Sequence, residues 1–213
     1  MSAIPSTLIL DFGGVLTTDL WASIRACARR EGLPDDTLLD LMRHDPQIHP
    51  LYIGLERGDV SQIDFETSLA AAAGIAPERL LARMCADLQP DEAMLAGVAD
   101  LRAEGVRIGV LSNSWGTGHF SPYEGYELED RADALVYSDQ VQLRKPEPAI
   151  FELMLELLGV AAQDSVFVDD IAANLSPAEA MGMTVVHHTD TRTTLTDLRR
   201  IFAKSPSPTA RSS

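Results

Sequence analysis

The chain has 213 residues, of which 46% are hydrophobic and 23% charged, with a formal net charge of −15. That length holds one domain, or one core domain with a small insertion, and it can bury a core without disulfides or a structural metal. The acidic balance argues against nucleic acid or an anionic membrane surface as main partner, but a bound cation and a local lysine still allow an anionic small molecule in a pocket.

Residues Met1 to Thr7 carry no basic region, and Leu8-Ile9-Leu10 is too short for a signal-peptide core. No apolar run approaches a transmembrane span, so a cytoplasmic protein is expected. Cys27 and Cys85 fall in helical segments and read as small buried hydrophobes of a reducing compartment.

Leu8-Ile9-Leu10 running into Asp11-Phe12-Gly13-Gly14 fits a short buried strand and a Gly-rich turn. From Leu20 to about Leu88 apolar residues recur at helical spacing. Breakers at Gly32-Leu33-Pro34, Gly58-Asp59 and Gly74 to Pro77 divide this stretch into four or five helices with no strand. Ser61 and Asp64 make a capping-box-like start. Beyond Pro90 the pattern alternates. Helices are expected over Asp91–Glu104, Pro146–Leu158 (with Pro146 in its first turn), Asn174–Met181 and Thr193–Phe202. Strands are expected over Val106–Leu111, Leu135–Tyr137, Val166–Val168 and Thr184–Val186.

This alternation predicts a Rossmann-like α/β core, 1–17 and 90–203, with a parallel five-stranded sheet covered on both faces. The all-helical stretch 18–89 is then an inserted α-helical cap. The Ser/Pro-rich tail 204–213 is expected to be disordered.

Ligands of open α/β sheets bind beyond the carboxyl ends of the strands. Asp11 ends the first strand, Ser112-Asn113 the second and Asp169-Asp170 the fourth, while Lys145 precedes a helix. Three carboxylates, a hydroxyl, an amide and an ammonium at these places suit phosphoryl transfer to a carboxylate. Two acids hold a hard cation, another group balances the phosphate, and a hydroxyl with backbone N–H groups binds its oxygens. One carboxylate attacks and water later opens the intermediate.

Asp11-Phe12-Gly13-Gly14-Val15-Leu16, Leu111-Ser112-Asn113, Lys145-Pro146 and Val168-Asp169-Asp170-Ile171-Ala172-Ala173-Asn174 resemble, in order and interval, the four motifs of haloacid-dehalogenase-like (HAD) hydrolases. The likeness covers about residues 6 to 203 and is greatest to members with a helical cap, including the phosphatase-like domain beside epoxide hydrolases. It implies a sheet order of 5-4-1-2-3, a magnesium ion, and a small phosphorylated metabolite as partner. It further implies Asp11 as nucleophile and metal ligand, with the Gly13 carbonyl, Asp169 and Asp170 also on the metal. Gly13, Gly14, Ser112, Asn113 and Lys145 would surround the phosphoryl group, and Asn174 would order the loop.

Gly13 departs from the phosphatase pattern, which places a second Asp there as general acid and base. Losing such a group removes about 10²–10⁴-fold in rate. Good leaving groups, a substitute such as Asp19 or a cap residue, or a non-catalytic binding protein would each accommodate the change. A haloacid dehalogenase needs neither that Asp nor a metal, and is the alternative enzyme. His187-His188 are weak metal candidates. The aromatic loop Trp115 to Tyr126, with His119, is a candidate gate, and Trp21 and Arg25 are candidates to face the pocket, with core packing the default for Trp21.

Overall fold

The computed structural model describes residues 5–116 and 118–203; the expected disordered tail lies outside them. Five strands, β1 (Thr7–Leu10), β2 (Arg107–Ser112), β3 (Ala134–Tyr137), β4 (Ser165–Asp169) and β5 (Thr184–His187), form one parallel sheet in the order β3-β2-β1-β4-β5. That is the expected order. Its centre, β1 between β2 and β4, is buried on both faces because helices cover each side.

Strand alternation divides the core into two layers. Leu8, Leu10, Ile108, Val110, Val166 and Val168 point to one face, and Ile9, Leu111 and Phe167 to the other. Directly after β1 come α1 (Leu20–Arg30), α2 (Thr37–His44), α3 (Ile48–Glu56), α4 (Gln62–Ala73) and α5 (Leu80–Met84). These helices gather their own apolar cluster around Ile24, Leu38, Leu55, Phe65 and Leu80. An antiparallel bridge between Thr17 and Pro90 sits where the expected cap leaves and rejoins the core. The caps are local: Asp19 Oδ1 accepts from the Ala22 N–H at the start of α1, and Ser61 Oγ from the Asp64 N–H at the start of α4.

The remaining helices are α6 (Glu92–Ala103), α7 (Leu128–Arg131), α8 (Ser138–Val141), α9 (Pro148–Leu158), α10 (Ala172–Ala180) and α11 (Thr191–Phe202). Some boundaries are corrected: α10 and α11 each begin two residues earlier than expected, and α9 begins at Pro148 with Glu147 as its cap, so Pro146 belongs to the preceding turn, closed by Glu147 N–H on Arg144 C=O at 2.9 Å. Pro148 fits the first helical position, where no N–H is needed. The single turns α7 and α8 were not expected, being too short to leave a periodic pattern. Cys27 is buried as expected, whereas Cys85 is half-buried; both are free thiols. Among the described residues no helix is long and apolar enough to cross a membrane.

Candidate active site

The carboxyl ends of β1, β2 and β4 bring Asp11, Ser112 and Asp169 to one end of the sheet, because the three strands are neighbours and parallel. Lys145 arrives from the turn before α9 and is 1% exposed. Its Nζ lies 2.8 Å from Asp11 Oδ1 and 2.8 Å from Asp169 Oδ2. A buried ammonium is tolerated only when paired in this way.

Asp169 is fully enclosed. Its Oδ1 accepts from Ile171 N–H at 2.8 Å and from Asn174 Nδ2 at 3.0 Å, and its Oδ2 from the same amide at 3.1 Å as well as from Lys145. Asn174 thus orders the loop after β4, the work expected of it. Asp170 is more open and accepts one bond from Trp21 Nε1 at 3.2 Å.

Asp11, Asp169 and Asp170 can each present one oxygen within 4.8 Å of the others. Three carboxylates share one ammonium, which leaves the ionised cluster short of positive charge. Burial pushes the Asp11 carboxyl up to about 8, and the charges of Asp169 and Asp170 add to this against the pull of Lys145. Burial, then the Asp169 charge, raises Asp170 to about 6. Burial works against the Lys145 ammonium too, but Asp11 and Asp169 outweigh it and its pKa is raised. A hard divalent cation with oxygen ligands fits such a cluster and would supply the missing charge.

The other expected residues divide. Ser112 Oγ accepts from the Tyr123 hydroxyl at 2.9 Å, leaving the serine proton free to donate elsewhere. Asn113 lines the cleft, but its Oδ1 accepts from Lys145 N–H at 2.8 Å and its Nδ2 donates to Lys145 C=O at 3.0 Å, so its side chain holds the lysine backbone. Gly14 donates its N–H to Thr17 Oγ1 at 2.9 Å. It must be glycine: φ is 79°, and a Cβ there would stand 2.9 Å from Asp170 Oδ2. Gly13 lines the cleft floor.

The cleft is walled by α1, α3, the turn after α5 and the loop after β2: Leu20, Trp21, Tyr52, Leu88, Trp115 and Tyr123 face it. Glu56, at the end of α3, is the carboxylate of the cap stretch in this wall; its Oε2 accepts from Arg144 Nε and Nη2, both at 2.6 Å. The sequence reading missed Tyr52, Glu56 and Leu88, because helical periodicity assigns residues to a face but not to a neighbour. The aromatic loop is tied to the cap stretch: Gln62 Nε2 reaches the carbonyls of Trp115, Gly116 and Phe120 at 2.8–3.1 Å.

Several candidates lie elsewhere. Asp19 caps α1 and is exposed, so it is not aimed at the cleft. Arg25 pairs with Asp36 at 2.7 Å, and His119 with Glu66 at 3.0 Å, both outside the cleft lining. Trp21 lines the cleft and also packs against the apolar cluster of the cap stretch. His187 Nε2 contacts Asp170 C=O and His188 Nδ1 contacts Thr194 Oγ1, each at 3.0 Å, and neither joins the acidic cluster.

Comparison with known proteins agrees with this architecture. A HAD-family enzyme of Bacteroides thetaiotaomicron, solved with magnesium and inorganic phosphate, superposes with a TM-score of 0.66 at 22% identity, covering 86% of this chain and 93% of that one. D-ribitol-5-phosphate phosphatase of Bacteroides thetaiotaomicron is 28% identical over 186 residues, 82% of this chain and 87% of that protein. Bifunctional epoxide hydrolase 2 of Rattus norvegicus is 32% identical over 123 residues, 54% of this chain. That match spans 22% of the epoxide hydrolase's length. Residues 5–182 match the model of haloacid dehalogenase-like hydrolases, and the chain belongs to that family.

Proposed function

We propose that the chain is a magnesium-dependent phosphatase acting on a small phosphorylated metabolite through a covalent phosphoryl group on Asp11. The observation that carries this reading is the cluster of Asp11, Asp169 and Asp170 around the single ammonium of Lys145. The likeness to a sugar-phosphate phosphatase and to a fold neighbour solved with magnesium and phosphate supports it.

In this mechanism Lys145 holds Asp11 oriented and offsets the charge of the incoming phosphoryl group. The freed proton of Ser112 and the backbone N–H of Gly13 bind its oxygens, while Asn113 fixes Lys145. Asp11, Asp170 and the Gly13 carbonyl would hold magnesium, with Asp169 direct or through water; the ion, when bound, supplies Lewis-acid stabilisation of phosphoryl charge. Asp11 then attacks phosphorus, and water later releases phosphate. The apolar cleft walls exclude bulk water from the reacting groups.

The test is phosphate release from para-nitrophenyl phosphate, acetyl phosphate and a sugar-phosphate panel, with magnesium, with EDTA and with Asp11→Asn. Magnesium-dependent release lost in Asp11→Asn is expected. Halide release from 2-haloacids in EDTA, with no phosphate release from any ester, would instead favour the dehalogenase.

A further inference from the structure

Gln62 is the first residue of α4 and is buried. An amide side chain is seldom enclosed unless its polar atoms are bonded, and this one is held at both ends. Its Nε2 donates to the carbonyls of Trp115, Gly116 and Phe120 at 3.0, 3.1 and 2.8 Å, and its Oε1 accepts from the Phe120 N–H at 3.1 Å. With two N–H bonds for three carbonyls, one is shared. All four partners are backbone groups of the loop after β2, so the amide sets the path of that loop rather than the pose of one side chain. Gly118 lets the loop close over it: a Cβ there would stand 2.8 Å from Gln62 Oε1. One turn along α4, Glu66 Oε2 meets His119 Nε2 of the same loop at 3.0 Å.

The loop divides its aromatic side chains between two cores. Trp115 and Phe120 pack in the apolar cluster of the cap stretch, and Tyr123 and Tyr126 in that of the sheet. Its cleft-facing residues divide in the same way. Tyr123 reaches Ser112 on the phosphoryl side, with its ring held by Phe12 and Tyr137. Trp115 lines the cleft from the cap side, edge-on to Tyr52 of α3 with ring centroids 6.4 Å apart. The carbonyl of Trp115 is one of those that Gln62 holds.

We infer that Gln62 is a positioning residue for substrate specificity. By fastening the loop to α4 it fixes where Trp115 stands in the cleft wall, and that wall receives the body of the leaving group. A flat, apolar body gains from this contact, because an indole presents a large rigid face. The phosphoryl side does not depend on Gln62, because Tyr123 is anchored in the other core.

This inference rests on the phosphatase reading. Its test measures phosphate release from para-nitrophenyl phosphate and from acetyl phosphate, whose body is too small to reach the cap side, in the full chain with magnesium. Each variant is compared with the parent on both donors, so the intrinsic difference between the leaving groups cancels. Gln62→Met keeps the length of the side chain and removes all four bonds. KM for para-nitrophenyl phosphate should rise about tenfold, the size of one lost aromatic contact, with kcat little changed. For acetyl phosphate kcat/KM should stay within about threefold of the parent, less than a typical hydrogen bond can change it. Gly118→Ala keeps Gln62 but crowds its amide, and should shift the ratio between the donors in the same direction. Equal losses on both donors, as general loosening of the fold would produce, or no change on either, would overturn the positioning role. Should Gln62→Met fail to fold, the Gly118→Ala ratio decides, and an unchanged ratio overturns it. No Asp11-dependent release from either donor in the parent would overturn the phosphatase reading, and this inference with it.

Discussion

Trp21 donates its indole N–H to Asp170 Oδ2 across 3.2 Å, so the first helix of the cap stretch touches the acid just beyond β4. The Arg43 guanidinium covers the same indole at 4.6 Å from its centroid. Trp21→Phe keeps a ring beneath Arg43 and removes the donor that aims Asp170. Groups that orient a metal ligand typically affect metal affinity by about 10–100-fold, and with one bond at a half-buried site the low end is expected. Magnesium titration by calorimetry should show about tenfold weaker binding with an unchanged far-UV spectrum. Unchanged affinity would separate Trp21 from the metal site.

The folded-state proton affinities of Asp11 and Asp170 fix the sign of a pH effect. Burial, with the charges of neighbouring acids, raises Asp11 to about 8 and Asp170 to about 6, from 3.8 for an ordinary aspartate. Lys145, Asp169 and each other are the charged groups that face them. Between those values the folded chain binds more protons than the unfolded chain, so stability falls as pH rises. Their contribution is fully present below about 4 and is lost as pH climbs through about 6 and then about 8. In EDTA the Tm should therefore decline from pH 5 to pH 8. Millimolar magnesium, which replaces those protons, should raise Tm most at the alkaline end. A Tm rising with pH in EDTA would contradict this.

Much of this site was legible because its chemistry sits at strand ends. Asp11, Ser112 and Asp169 follow apolar runs, and parallel neighbouring strands must carry them to the same edge. What the sequence withheld was contact between separate elements. Glu56 ends a helix whose periodicity marks only its buried face, and nothing local pairs it with Arg144, 88 residues later. Asn113 was expected near phosphate because of its place beside Ser112, yet its amide is occupied by the Lys145 backbone. Gly14 was expected to cradle substrate; its motif did not announce that Asp170 approaches it closely. Motif order reveals which residues meet; it does not reveal which hydrogen bonds they make.

Tyr123→Phe isolates the hydroxyl that occupies Ser112. The ring stays packed, with its centroid 4.7 Å from that of Phe12 and 4.3 Å from that of Tyr137, so folding should change little. Losing the 2.9 Å bond lets Ser112 rotate away from the orientation in which its proton faces the phosphoryl group. A neutral hydrogen bond contributes about 0.5–1.5 kcal/mol, so kcat/KM for the preferred phosphate donor should fall roughly 2- to 13-fold. Steady-state kinetics beside Tyr→Phe at position 137 as control would check this, and an unaltered kcat/KM would show that Tyr123 only packs.

Lys145 bridges Asp11 and Asp169 with almost no exposure, and removing it strands two buried acids. Lys145→Met retains the hydrocarbon and deletes the charge. Breaking a buried pair by removing one partner costs about 3–5 kcal/mol, and urea unfolding in EDTA at a pH above the Asp11 value of about 8 should show a loss of that size. Adding Asp169→Asn removes one stranded charge, so the double variant should be more stable than the single. Acidification should also shrink the deficit, because a protonated Asp11 no longer needs the ammonium. Should the single variant be as stable as the parent at every pH, Lys145 would be a catalytic group that the fold accommodates at no net gain. The cluster would then owe its order to the enclosure of Asp169 by Asn174 and the Ile171 N–H.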